Sequence, residues 1–166
     1  MESIRQWIAR RKAKKQPTQR AEDLLRVREG TRTRVYKDSR GNLTVGIGHK
    51  ITAKDDLAYG DVIPPEQVES LFAKDVAKAR ALAEYQAEEL GIKDVDFIEA
   101  LVSVNFQLGG GWYLEHKKTW KLLKERKYKE AAQETSRSRW AHQTPIRVKD
   151  FQTALLKLQG EKQKGK

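Results

Sequence analysis

The chain has 166 residues, with 38% hydrophobic residues, three His and no Cys. That suits one globular domain and excludes a disulfide framework, a thiolate nucleophile and any cysteine-bound metal centre. No apolar run approaches the roughly 20 residues that cross a bilayer, and residues 1–16 lack an export-type apolar block, so the chain reads as soluble and made without a signal peptide. Its net charge of +11 sits at the ends, with +6 in residues 1–20 and +3 in residues 155–166, a distribution that suits anionic surfaces and argues against a nucleic-acid groove in the body.

Residues 1–15 place Ile4, Trp7, Ile8 and Arg11 at helical spacing among Arg5, Arg10, Lys12, Lys14 and Lys15, which predicts a basic amphipathic helix stopped by Pro17. A second helix is expected over 20–29, with Ala21, Leu24, Leu25 and Val27 as its apolar stripe and Gly30 as its end. Residues 33–37 and 43–47 are β-rich, and the turn-forming run 38–42 between them predicts a hairpin. Residues 50–62 show no clear period and read as a loop or a weak further strand. Pro64-Pro65 opens a long helix that continues to Gly91. Helices follow over 94–108, 117–126, 128–135 and 145–158, with a flexible glycine junction at 109–111 and a frayed end over 159–166. The fold class is therefore α+β: a small β-hairpin lobe and a larger helical lobe, joined by one long helix, with a cleft between them. The expected division is an extension over 1–17, a domain over 18–158 and a basic tail over 159–166.

Glu29 at a helix end, Asp38 at a hairpin turn and Thr44 on the returning strand are spaced to meet at one cleft rim. Two carboxylates flanking a glycosidic bond are what glycoside hydrolysis requires. The spacing alone also fits a helix-terminal Glu and a turn Asp with ordinary surface roles, because the chain holds 23 acidic residues.

The whole string is more specific. Glu29-Gly30, then Tyr36-Lys37-Asp38, a Gly-containing turn and Thr44-Val45-Gly46-Ile47-Gly48-His49 resemble the signature of the T-even bacteriophage lysozyme family, glycoside hydrolase family 24. The resemblance continues through residues 71–76, 105–109, 138–140 and 143–147. It implies a lysozyme-like fold and a muramidase that cuts the β-1,4 bond between N-acetylmuramic acid and N-acetylglucosamine in peptidoglycan, without a cofactor or metal. It implies further that Glu29 is the general acid, that Asp38 and Thr44 hold the attacking water, and that the anomeric carbon is inverted. The acid must then keep its proton near neutral pH, and Arg147, matching an arginine that pairs with it, opposes that.

By the same resemblance His49 pairs with Asp75 as structural support. Phe106, Gln107, Thr119, Glu134 and Arg139 fall where the family's cleft meets its substrate, although Phe106 also fits a core position and Gln107 a merely exposed one. The interval between His49 and Phe72 is short for the family and Lys50 replaces an apolar cleft residue, which implies a trimmed, more open upper lobe. Residues 1–16 lie outside the resemblance. Insertion of Ile4, Trp7 and Ile8 at an anionic outer-membrane or lipopolysaccharide surface, with Arg10 and Arg11 on phosphates, is one reading, and a solvated or folded-back helix is the other. The expected protein is a monomeric endolysin, made in the host cytoplasm and reaching the periplasmic cell wall after release, or carried by a virion. A lytic transglycosylase and a non-catalytic glycan-binding or virion module are the alternatives. Asp38 and Thr44 favour water as the nucleophile over the first, and the complete trio disfavours the second.

Overall fold

A computed structural model describes residues 3–6 and 19–164. Of the surface-binding candidates, Ile4 lies in a helical turn and is exposed, whereas Trp7, Ile8, Arg10 and Arg11 fall outside the described residues. The body opens with helix α1 (Gln19–Glu29), followed by strands β1 (Arg32–Lys37), β2 (Leu43–Gly46) and β3 (His49–Lys50). They form an antiparallel sheet in the order β1-β2-β3. The long helix α2 (Pro65–Leu90) leads into α3 (Val95–Leu108), α4 (Trp112–Glu115), α5 (Lys117–Lys124), α6 (Tyr128–Thr135), α7 (Arg139–Gln143) and α8 (Pro145–Lys164). This is the expected α+β arrangement of a sheet lobe and a helical lobe. None of the described helices is long and apolar enough to cross a membrane.

Two apolar cores follow from the pattern of α2. Val68, Phe72 and Val76 face a small core with Leu25, Val35, Val45, Ile47 and Ile63, while Ala79, Ala83, Ala87 and Leu90 face a larger one built around Phe97, Leu101, Trp112, Trp120, Trp140 and Phe151. Helix α1 serves both cores through Leu25 and Ala21, and Val27, read as part of its stripe, is exposed. Phe106 packs against both and meets Phe72 edge-on at 5.9 Å. Helix α1 is also tied to distant helices: Glu99 of α3 accepts from the Ala21 N–H and pairs with Arg80 of α2, and Arg28 pairs with Asp150 of α8. The buried Glu99 is thus fully partnered, which offsets the cost of taking its charge out of water.

The stretch read as loop or weak strand carries both, with the two-residue β3, a 3-10 turn at Ala53–Asp55 and an isolated bridge between Arg34 and Val62. The structure departs from the sequence expectations in three places. Helices α4 and α7, of four and five residues, are too short to show a period. The glycine junction is held rather than loose: Gly110 lies so close to α2 that a Cβ there would sit 2.8 Å from Leu82, and its carbonyl accepts from the buried Gln86 amide, which also bonds Asn105 and Trp112. Finally, the tail expected to fray over 159–166 is helical through Lys164, because Leu158 is buried and Gln159 and Lys162 bond the backbone at Lys129 and Arg126.

Candidate active site

The hairpin and the end of α1 bring the expected trio together. Glu29, Asp38 and Thr44 line one cleft of about 210 Å³, with Arg40, Gly48, Lys50, Phe106, Gln107, Thr144 and Arg147 also in its walls. Strand pairing explains how Thr44 arrives there. Thr44 opposes Tyr36 on one side and Lys50 on the other, and side chains alternate along a strand, so Val45 turns into the small core while Thr44 turns to the cleft.

The Asp38 carboxylate is organised by its own turn. Oδ1 accepts from the backbone N–H groups of Arg40 at 2.9 Å and Asn42 at 2.8 Å, and Oδ2 receives only a long contact of 3.4 Å from the Asn42 amide. Burial resists ionisation, but these donors and the nearby Lys50 ammonium outweigh it and hold Asp38 below the usual carboxylate range. Thr44 spends its hydroxyl proton on the Asn42 carbonyl at 3.0 Å. Lys50, marked in the sequence as an oddity of the cleft wall, therefore acts on Asp38, and Asn42 organises both water-site candidates. A turn asparagine gives no sequence signal of that kind.

Glu29 is gripped from one side and backed from the other. Its Oε1 accepts from Arg147 Nη1 at 2.7 Å. Arg147 is itself buried, and its Nη2 donates to the carbonyl and hydroxyl of Ser103 at 3.2 and 3.0 Å. Behind Oε2 lies Gly48, with φ +64°, where an added Cβ would come within 2.6 Å of that oxygen.

The cleft runs into a second groove of about 940 Å³ that shares Arg40, Leu108 and Gln143 with it. Thr119, Glu134 and Arg139 line this groove, not the cleft of the trio. Thr119 is buried, Arg139 is exposed and Glu134 pairs with Arg137 at 3.3 Å. At the junction Arg40 of the hairpin turn donates to Gln143 of α7 at 2.6 Å, joining the two lobes. Gln107 is oriented by its neighbours: Trp140 donates to its carbonyl oxygen at 2.8 Å, and its NH2 donates to Thr144 at 3.0 Å, so its remaining N–H is a donor at the cleft wall.

His49, in β3, has Nδ1 2.7 Å from Asp75 of α2 and Nε2 3.0 Å from Asp55. Asp55 was not foreseen; it also closes the turn that begins at Thr52, a Thr-x-x-Asp pattern visible in the chain. The Asp75 hydrogen bond outweighs burial and, with Asp55, pushes His49 up to about 9. Asp55 is held below its ordinary range despite burial, by the Thr52 N–H and by His49. The sign follows: stability from charged His49 is complete below about pH 6.5 and is lost as pH rises through about 9, whereas that from Asp55 fails only in acid, as pH falls through the carboxylate range. Between pH 6 and 9.5 we expect Tm to drop by roughly 5–10 °C, and a His49→Gln variant to lose most of that dependence. Parallel melting curves of the two proteins across that range check it.

The family model for phage lysozyme matches residues 26–153. The chain is 34% identical over 147 residues to "Probable T4-type lysozyme 1" of Dictyostelium discoideum, covering 75% of this chain and 86% of that protein. It is 34% identical over 161 residues to "Probable T4-type lysozyme 2" of the same organism, covering 81% and 95%. It is also 31% identical over 123 residues to "Peptidoglycan hydrolase gp36" of Pseudomonas phage phiKMV, a stretch that is 74% of this chain but 14% of that longer protein. With a site of two carboxylates and a hydroxyl in the cleft and a family match over most of its length, the chain belongs to the phage lysozyme family and is a glycoside hydrolase.

Proposed function

We propose that this lysozyme hydrolyses the β-1,4 bond between N-acetylmuramic acid and N-acetylglucosamine in peptidoglycan with inversion, using Glu29 as general acid and Asp38 with Thr44 to hold the nucleophilic water. The observation that carries this reading is the hydrogen-bond inventory of the trio. Arg147 only donates, so the lone pair of Oε1 that faces it is taken, and the transferable proton of Glu29 belongs on Oε2. Thr44 has already given its proton to Asn42, so its oxygen faces a water as an acceptor, and Asp38 Oδ2 has room for a second bond. A water that donates one proton to each keeps a lone pair free for the anomeric carbon. As that oxygen bonds to carbon, the glycosidic bond breaks, Glu29 protonates the leaving oxygen and Asp38 receives the proton of the water. No covalent sugar–enzyme bond is needed.

The N–H of Gln107 suits a sugar carbonyl acceptor, and Phe106, Thr119, Glu134 and Arg139 extend contact along the two grooves. Residues 1–17 and 159–166 flank the catalytic domain of 18–158, and the basic first segment binds an anionic outer-membrane or lipopolysaccharide surface. The protein acts as a monomer on the wall after release from the cell that makes it, or as part of a virion. Anomer-resolved NMR of products from purified peptidoglycan, with mass spectrometry, tests the reaction. The expected first products carry reducing ends in the α configuration; β ends would demand a covalent intermediate, and anhydro ends would replace water with an intramolecular nucleophile.

A further inference from the structure

We infer that Ser103 is a positioning residue for the general acid, acting through Arg147 to keep its grip on Glu29 confined to one oxygen. This rests on the assignment of Glu29 as the acid. An arginine beside a carboxylate ordinarily engages both oxygens through a two-pronged fork, which is the strongest arrangement for the ionised form. A general acid held that way would give up its proton and have neither oxygen free to deliver one. Here the fork is split. Nη1 reaches Glu29 Oε1 at 2.7 Å, whereas Nη2 is turned away and held by two oxygens of Ser103, the carbonyl at 3.2 Å and the hydroxyl at 3.0 Å. Ser103 and Arg147 are both buried, so Nη2 has no free exchange with bulk water and its bond energy goes to these acceptors.

Removing the hydroxyl leaves one acceptor at the longer distance, and the guanidinium gains by turning Nη2 toward the carboxylate. The other charged or titratable groups around Glu29 cannot substitute for this control. Arg28, on its own helix, is paired with Asp150; Tyr36 comes from β1, Asp38 and Arg40 from the hairpin turn, and Lys50 from β3. Helix α3 adds no titratable group to the cleft among the described residues, so what it contributes to the acid is the pair of Ser103 oxygens.

The test is the pH dependence of kcat/KM on soluble peptidoglycan fragments for the wild type, Ser103→Ala and Ser103→Thr, with Glu29→Gln in the same assay. An acid gripped at both oxygens loses its proton earlier, so in Ser103→Ala the alkaline limb is expected to move down by about one pH unit, with kcat near neutrality lower by about tenfold. KM should change little, because no contact with substrate is removed. Ser103→Thr keeps the hydroxyl and should retain the wild-type limb. An alanine variant whose limb stays in place, whether its activity is unchanged or falls together with Tm, overturns the role of Ser103. If Glu29→Gln stays active, the acid assignment itself falls and this inference falls with it; an inactive Glu29→Gln beside an unmoved limb removes the Ser103 role alone.

Discussion

Glu29→Gln is expected to lower kcat on purified peptidoglycan by about 10²–10⁴-fold, with KM nearly unchanged and the protein folded. The amide matches the carboxylate in shape, and its oxygen can still accept from Arg147 Nη1, so the cleft wall keeps its geometry. What it lacks is a proton acidic enough to follow the leaving oxygen. Losing the charge opposite a buried guanidinium should cost about 1–2 kcal/mol, read as a Tm lower by a few degrees. Retention of more than a tenth of wild-type kcat in a cooperatively folding variant would remove Glu29 from the mechanism.

Gly48→Ala should be nearly as damaging to catalysis, although it adds one methyl group to a residue with no side-chain chemistry. The new Cβ would lie 2.6 Å from Oε2, 2.8 Å from Cδ and 3.0 Å from Cγ of Glu29. The carboxylate has to move, and Oε1 is tethered to Arg147, so both the aim of Oε2 and the ion pair are disturbed. A displacement of about 1 Å in a reacting group is enough for a loss of about 10²-fold. The backbone adds strain of about 1–2 kcal/mol because φ is +64°. Gly41→Ala separates the two effects: its φ is +82°, yet a Cβ there would meet nothing within 4 Å. That variant should lose comparable stability and keep most of its activity. Equal kcat values for the two variants would show that backbone strain alone, not contact with the acid, sets the requirement at Gly48.

The pair also marks how far the site could be read from the chain. Glu29, Asp38 and Thr44 were legible as one candidate site through the family-like string from Glu29 to His49, since their spacing at a helix end and one hairpin also fits ordinary surface roles, and local turn chemistry fixes the carboxylate of Asp38. The hairpin and α2 were legible because turn residues and a long apolar period act locally. Bonds across the molecule were legible only where the family resemblance marked them, as for Arg147 with Glu29 and His49 with Asp75. Arg40 meets Gln143 across 103 positions, and Ser103 meets Arg147 across 44, with nothing in either neighbourhood to announce it. Ser103 would pass for one more small residue on a buried helix face. Short elements were lost differently: α4 and α7 span about one turn each, less than a period needs. Gly110 was misread as a source of freedom because its closeness to Leu82 exists only once α2 and α3 have packed.

Glu29 and its anchor stand 118 positions apart, on the first and last helices of the body. During synthesis the hairpin with Asp38 and Thr44 emerges early, but the guanidinium that holds Glu29 arrives only with the final helix, after every intervening element has been made. Contacts of such separation close late, since the chain must meet the entropy of a long loop before they return any stabilisation. A chain stopped before residue 147 therefore carries Glu29, Asp38 and Thr44 but no guanidinium to hold the Glu29 carboxylate. On the proposed assignment of Glu29 as the acid, its anchoring is thus among the last contacts of the fold to close.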